Sequence, residues 1–300
     1  MSMDSEDFKV PLGKKTSLKD FDSGWIPKWA KEQEEKEGKK AVREQALAIL
    51  EVSRQKLVDM QELFWASHTY SLLIILQGMD AAGKDSAIRH VLSGVNPQGC
   101  QVTAFKTPSE EELNHDFLWR NVKVLPERGS IGIFNRSYYE DVLIVKVRPE
   151  VLEKQNLPAR VEGRLFWTQR YEDINMFERH LVRNGTIVLK FFLNVSEKQQ
   201  KQRMLKRLEN PDKQWKFSLT DLSERSKWAD YMDAYEDMVN ETSTEWSPWY
   251  IIPSDKKWVA HASVSEIIVS QIQKLNLKRP VLSKEQNEAL EKAKAKLEKE

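Results

Sequence analysis

Ser71-Leu-Leu-Ile-Ile-Leu76 runs through Gln77 into Gly78-Met-Asp-Ala-Ala-Gly83-Lys84-Asp85, and this passage decides the fold. A short, continuous run of branched apolar residues suits a strand buried on both faces of a parallel sheet. The Gly-x₄-Gly-Lys that follows it, opening a helix expected over 84–93, is the P-loop pattern. Its physics is direct. Glycines let the backbone curl, successive N–H groups face an anion, and the helix N-terminus adds partial positive charge. Gly78, Ala81, Ala82, Gly83, Lys84 and Asp85 are therefore the candidate phosphate cradle, with Lys84 reaching the terminal phosphates as a mobile point charge. The pattern alone would also fit a glycine-rich turn without a ligand; the strand before it and the helix after it argue against that reading.

The loop departs from the usual form in its acids. The Ser or Thr that normally follows the lysine and ligates Mg²⁺ is Asp85 here, and Ser86 comes one position too late. Asp80 sits inside the loop, where a carboxylate repels a phosphate unless a cation lies between them. Asp80 is thus the expected metal ligand, direct or through water, for Mg²⁺ with Mn²⁺ as an alternative. The other reading of Asp80 is a turn residue bonding its own backbone.

Outward from the loop, strands alternate with helices. Further strands are expected at Gln101–Phe105, Ser130–Phe134, Thr186–Leu193 and Trp249–Ile252. Helices are expected at 41–65, Leu113–Val122, about 160–183, and 257–274. In the first of these helices Val42, Ala46, Leu50, Leu57, Met60 and Phe64 share one stripe. The alternation predicts a three-layer α/β/α domain with a parallel five-stranded sheet. Residues 1–40 read as an extended arm anchored by Trp25, Ile26 and Trp29, residues 41–275 as the domain, and 276–300 as a charged, solvated tail.

Composition limits the function classes. Charged residues make up 31% of the chain but the net charge is only +1, so no global field favours nucleic acid or an anionic membrane, and positive charge must act locally. A single cysteine, Cys100, excludes an intrachain disulfide and a cysteine zinc site, and the five histidines show no ligand spacing. Trp167, Trp228 and Trp249 are read as packing residues. The charged N-terminus lacks an apolar segment, which points to a cytoplasmic protein.

A second constellation closes the third strand: Phe134-Asn-Arg-Ser-Tyr-Tyr-Glu-Asp141. Ligands in open α/β sheets collect at the carboxyl ends of strands, so this segment belongs beside the P-loop. Arg136 suits a transition-state clamp, because phosphoryl transfer gains most from fixed positive charge near the moving group. Its spacing equally allows a salt bridge to Glu140 or Asp141.

Together these stretches resemble the family-2 polyphosphate kinases. The likeness extends through Ser93–Gly99, Thr107-Pro-Ser109, Asp116–Arg120, Trp215–Ser218, Trp228–Tyr231 and Pro248-Trp-Tyr, covering about residues 40–275. The resemblance implies a P-loop kinase fold with a helical lid, and phosphate transfer from inorganic polyphosphate to AMP and ADP. It implies catalytic roles for Asp80, Lys84, Arg136 and Glu140, and a nucleotide site including Thr107, Arg120, Asn135, Arg136 and Glu140. Asn135 replaces an acid often found before the arginine, which puts a second carboxylate ligand for the metal in doubt. The Asn-Arg-Ser-x-Tyr-Glu form resembles the subgroup that accepts both AMP and ADP, with Glu140 involved in acceptor choice. A homodimer or homotetramer is implied by analogy alone.

The lid of that family corresponds to about residues 203–227, which carry Arg203, Lys206, Arg207, Lys213, Lys216, Arg225 and Lys227 among interspersed acids. Arg203, Arg207 and Lys216 flank a break at Pro211 and are the candidates for polyphosphate contact. Two competing functions remain open from the residues: an ATP-dependent nucleoside monophosphate kinase, and a polyphosphate- or nucleotide-binding protein that does not turn over.

Overall fold

The computed structural model describes residues 5–155, 157 and 163–300. Five strands form one sheet: β1 (Ser71–Gln77), β2 (Cys100–Ala104), β3 (Ile131–Asn135), β4 (Thr186–Asn194) and β5 (Trp249–Pro253). Their order is β2-β3-β1-β4-β5, and every strand pairing is parallel. All residues of β1 are buried, as its central place demands. An apolar strand flanked by β3 and β4 can bury both faces only if helices cover both sides of the sheet.

The helices supply that cover: α1 (Lys28–Ser67), α2 (Lys84–Val91), α3 (Glu110–Leu113), α4 (Trp119–Val122), α5 (Glu140–Val147), α6 (Pro149–Leu152), α7 (Arg164–Arg183), α8 (Glu197–Glu209), α9 (Pro211–Gln214), α10 (Leu219–Ser226), α11 (Trp228–Thr242), α12 (Lys257–Gln273) and α13 (Lys284–Leu297). α1, α2 and α12 pack together as one outer layer, and α5, α7 and α11 as the other. Val42, Ala46, Leu50, Leu57 and Phe64 bury the inner face of α1; Leu57 and Phe64 are wholly excluded from solvent. Complete burial of side chains of this size contributes about 1.5–3 kcal/mol each. Among the described residues no helix is long and apolar enough to cross a membrane.

Several boundaries differ from the sequence reading. α1 begins at Lys28 and takes in part of what read as an extended arm, because the helix continues through a single left-handed residue, Gly38 (φ 85°), that kinks it. Ile26 and Ala30 join Val42 and Val259 in a small second core, against which Trp25 and Trp29 pack. The helix expected over Leu113–Val122 is two single turns, α3 and α4. Ser109 caps the first through a reciprocal capping box with Glu112, which starts it early. The Asp116 carboxylate then accepts from the Leu118 N–H at 2.9 Å, a local turn that interrupts the helix. Residues 160–162, the expected start of the long helix, lie outside the described residues; α7 is described from Arg164.

On the β5 side the sheet edge is covered by the N-terminal segment. Lys9 forms an antiparallel bridge with Tyr250, and the Val10 N–H donates to the Trp249 carbonyl at 2.9 Å. The helices α8 to α10 lie between β4 and α11 in the chain, and α8 contacts the loop at the carboxyl end of β1.

Candidate active site

The loop between β1 and α2 turns back on itself through left-handed backbone at Gly78 (φ 147°), Ala81 (φ 61°) and Gly83 (φ 118°). Gly78 is required twice over: besides its φ, a Cβ there would meet the Leu193 carbonyl at 2.9 Å. The loop's carbonyls are drawn to one side by donors from neighbouring elements. Gln200 of α8 donates to the Asp80 carbonyl at 2.9 Å. Arg203 donates to the Ala81 and Ala82 carbonyls at 2.9 and 2.6 Å, and the Ser254 hydroxyl donates to the Ala82 carbonyl at 2.6 Å. Inside the curl the Ala82 N–H donates to the Met79 carbonyl at 3.0 Å. Arg203 also donates to the Ser254 and Asp255 carbonyls. Its guanidinium is therefore committed beneath the loop, a position different from the direct phosphate contact that its charge alone suggested.

Lys84 is buried and its ammonium donates to the Gly78 and Met79 carbonyls at 2.5 and 3.2 Å. Burial lowers its pKa, as does the nearby Arg136, while Asp80 and Glu140 act in the opposite direction. β3 ends at Asn135, and the next residue, Arg136, adopts a left-handed conformation (φ 65°). Such backbone costs of order 1–3 kcal/mol for a non-glycine residue and persists only where the surroundings fix it. The turn aims the Arg136 guanidinium between two acids: Asp80 of the loop at 2.5 Å and Glu140, the first residue of α5, at 3.6 Å. Burial pushes the Asp80 carboxyl up, but Lys84 and Arg136 together outweigh it and hold the group below its ordinary value. Glu140 and Asp80 correspondingly raise the pKa of Arg136 despite its burial.

Around this pair stand further polar groups. Gln77, buried at the end of β1, donates to a Glu140 carboxylate oxygen at 2.9 Å and accepts from the Ser137 N–H at 3.2 Å. Asn135 donates to the Asp85 carboxylate at 2.8 Å, which Lys216 approaches at 3.8 Å. Arg207 pairs with Asp221 at 3.1 Å. Burial and the charge on Asp80 push the Asp221 carboxyl up, against the pull of Arg207. The structure thus brings Asp80, Lys84, Asp85, Asn135, Arg136 and Glu140 together at the carboxyl ends of β1 and β3, with Arg207 and Lys216 entering from above.

Arg120 and Thr107 lie to one side. Arg120 is buried, donates to the Lys106 carbonyl at 2.8 Å and stands over the Phe105 ring; Thr107 is exposed on the loop after β2. Arg120 lines a cleft of about 390 Å³ that also presents Phe117, Asp141, Phe166, Arg170 and Asp173. Arg170 lies over the Phe117 ring and 3.6 Å from Asp141, and Gln155 donates to Asp141 at 2.6 Å. Burial pushes the Asp141 carboxyl up to about 6, against the pull of Arg170 and Gln155. Asp141, read from its spacing as a possible partner of Arg136, faces Arg170 and Gln155 instead, while Arg170, Gln77 and Gln200 escape a reading of motifs. Only Gln77 carried a local signal, a polar residue ending an apolar strand immediately before the loop.

Among the described residues no group of three or more His, Cys, Asp or Glu side chains could hold a metal ion. A Mg²⁺ ion bound with a phosphate substrate does not need such a group, since it takes one or two carboxylates and fills its shell with phosphate oxygens and water. Asp80, the loop carboxylate, fits that mode.

Comparison with known proteins adds the following. The polyphosphate kinase 2 family model matches residues 39–280. The ADP-polyphosphate phosphotransferase of Rhodopseudomonas palustris is 52% identical, covering 77% of this chain and 81% of its own. The AMP/ADP-polyphosphate phosphotransferase of Meiothermus ruber is 45% identical over 81% of this chain and 86% of its own. The crystal structure of polyphosphate kinase 2 from Arthrobacter aurescens TC1 superposes with a TM-score of 0.83 at 37% identity, covering 96% of this chain and 98% of that one.

Proposed function

The chain belongs to the polyphosphate kinase 2 family, and we propose that it phosphorylates both AMP and ADP through the site built around Arg136. The protein is a polyphosphate-dependent nucleotide kinase. In each turnover the bond between the terminal phosphoryl group of polyphosphate and the rest of its chain breaks. A bond to an oxygen of the acceptor's own phosphate forms, and the polymer is shortened by one unit. The acceptor oxygen is already ionised at neutral pH, so the reaction needs positioning and charge neutralisation more than a strong base.

One observation carries the reading: a single guanidinium, Arg136, spans the P-loop carboxylate Asp80 and the α5 carboxylate Glu140. These two acids mark the donor and acceptor sides of the transfer. The loop backbone and Lys84 hold the donor phosphates, with Arg207 and Lys216 above them. Arg136 lies where negative charge must be neutralised between the two substrates. Mg²⁺, held by Asp80 and phosphate oxygens, supplies further charge neutralisation when bound. The cleft beside Arg120 seats the acceptor's base and sugar, between aromatic faces such as Phe117 and polar groups such as Asp141. Glu140, oriented by Gln77 and paired with Arg136, directly precedes the cleft residue Asp141 and governs which acceptor phosphate reaches the donor. The expected setting is the cytoplasm, where AMP and ADP are supplied, and the expected assembly is a homodimer or homotetramer.

The test is chromatography of nucleotides after incubation with Mg²⁺, long-chain polyphosphate and AMP, without added ATP. ADP followed by ATP is the expected result. ATP formed from ADP with AMP untouched would overturn the dual acceptor range. Conversion of AMP only when ATP is added would instead indicate an ATP-dependent monophosphate kinase.

A further inference from the structure

Beneath the Arg136 turn lies a charged cluster that the transfer reaction does not touch. Lys190, on β4, and Glu178, on α7, are wholly buried and lie 2.6 Å apart. Both neighbours of the turn reach the same acid: the Tyr138 and Tyr139 hydroxyls donate to one Glu178 oxygen at 2.8 and 2.7 Å. The Lys190 ammonium spends its other donors on the Tyr139 hydroxyl at 3.0 Å and the Thr242 carbonyl at 2.6 Å. Thr242 in turn accepts from the Trp249 indole N–H at 2.8 Å. Burial, and then the charge on Glu178, keep both tyrosine pKa values well above the ordinary one, so both hydroxyls remain donors across the working pH range.

A buried ion pair is seldom more stabilising than apolar side chains of equal volume, because desolvating two charges costs about what their attraction returns. Stability alone is a poor reason to place Lys190 in the middle of an otherwise apolar strand. Position gives a better one. Tyr138 and Tyr139 occupy the interval between Arg136, whose backbone is strained, and Glu140, the first residue of α5. Two consecutive side chains fixed on one buried oxygen remove the rotation that would let that interval relax. Gln77 restrains the same turn from β1 through Ser137 and Glu140.

We propose that Glu178 and Lys190 are positioning residues for phosphoryl transfer, acting through the Tyr138 and Tyr139 hydroxyls to hold Arg136 and Glu140 in register with Asp80. This rests on the roles given to Arg136 and Glu140 above. The cluster touches neither substrate, so its loss should appear in kcat while the substrates continue to bind.

The experiment compares Tyr138→Phe/Tyr139→Phe with the apolar replacement Glu178→Leu/Lys190→Met, measuring melting temperature, kcat, and KM for polyphosphate and AMP. Misplacement of a clamp by a fraction of an ångström should lower kcat roughly ten- to a hundredfold in both variants, with KM changing less than about threefold. The replacement of the ion pair leaves the buried Tyr138 and Tyr139 hydroxyls and the Thr242 carbonyl without partners, so it should melt below the wild-type temperature and lose kcat as the tyrosine variant does. In an Arg136→Ala background the tyrosine changes should cost little more, because the group they position is gone. Wild-type kcat in the folded tyrosine variant, with only its melting temperature lowered, would overturn the proposal. So would wild-type kcat in the folded ion-pair replacement. If that replacement fails to fold, the tyrosine variant decides alone. If Arg136→Ala itself keeps wild-type kcat, the catalytic reading of Arg136 fails, a result distinguishable from the failure of the positioning role.

Discussion

The phosphate loop and the helical segment above it carry similar chemistry on opposite constructions. At the loop the charges are tied: Lys84 to two carbonyls, Asp80 to Arg136, and Arg203, reaching in from α8, to the carbonyls of Ala81 and Ala82. Across the gap, α9 and α10 bury no residue at all, and Trp215 and Leu219 are each 77% exposed. Few buried contacts mean a low free energy for local opening, whereas the loop shares the stability of the central strand that carries it. On the function proposed above, the difference would separate two tasks. Charge placed against the reacting group must be fixed before the substrate arrives, while charge that gathers a long polyanion can remain on a segment that moves.

If that division holds, the largest effects belong to the loop and its clamp. Lys84→Ala and Arg136→Ala should each lower kcat about a hundred- to a thousandfold, the range for losing one preorganised charge donor, with the melting temperature nearly unchanged. Equal losses from any lid lysine would break the comparison. Asp80→Asn comes next. It should lower activity roughly a hundredfold and raise the Mg²⁺ concentration needed for half-maximal rate, which titration of the metal reads directly. An unchanged metal requirement would assign Asp80 to the Arg136 contact alone.

A smaller effect concerns the acceptor cleft. The Asp141 carboxyl, pushed up by burial to about 6, is ionised above that pH and protonated below it. If the ionised form accepts a hydrogen bond from the acceptor's base, KM for AMP should rise severalfold as pH falls from 7 to 5, while KM for polyphosphate follows a different course. In Asp141→Asn that rise should be absent. The smallest effects belong to the exposed segment around α9 and α10. Lys216→Ala should raise KM for polyphosphate about two- to fivefold at low salt and less at high salt, as expected for a partly exposed charge that ions can screen. Insensitivity to salt would mean that Lys216 is fixed against the substrate as firmly as Lys84.

What the sequence disclosed follows the same division. The β1 run and the loop after it are local features, written in adjacent residues, and both the parallel sheet and the glycine-hinged curl after β1 were legible from them. Arg203 was legible as a charge but not as a direction: only the fold shows its guanidinium turned onto carbonyls of Ala81 and Ala82. Lys190 lay in plain view inside an apolar strand, but its partner Glu178 is on a helix and their pairing depends on how α7 crosses β4. Asp141 likewise acquires its character from burial and from Arg170, which no spacing between them announces. The expected helix over Leu113–Val122 failed for a local reason, since the Asp116 carboxylate bonds its own backbone in place of letting the helix continue.

The segment around Lys9 and Val10, joined to β5 at Trp249 and Tyr250, has a consequence for the behaviour of many molecules together. An unpaired strand edge is a template on which a second chain can grow. Here one border of the sheet is stoppered by the protein's own leading segment. The other is the short strand β2, where Val102 is 49% exposed. Val10→Pro removes the N–H that closes the first border and should turn a well-dispersed solution into one that clouds on standing, with self-association beginning at β5.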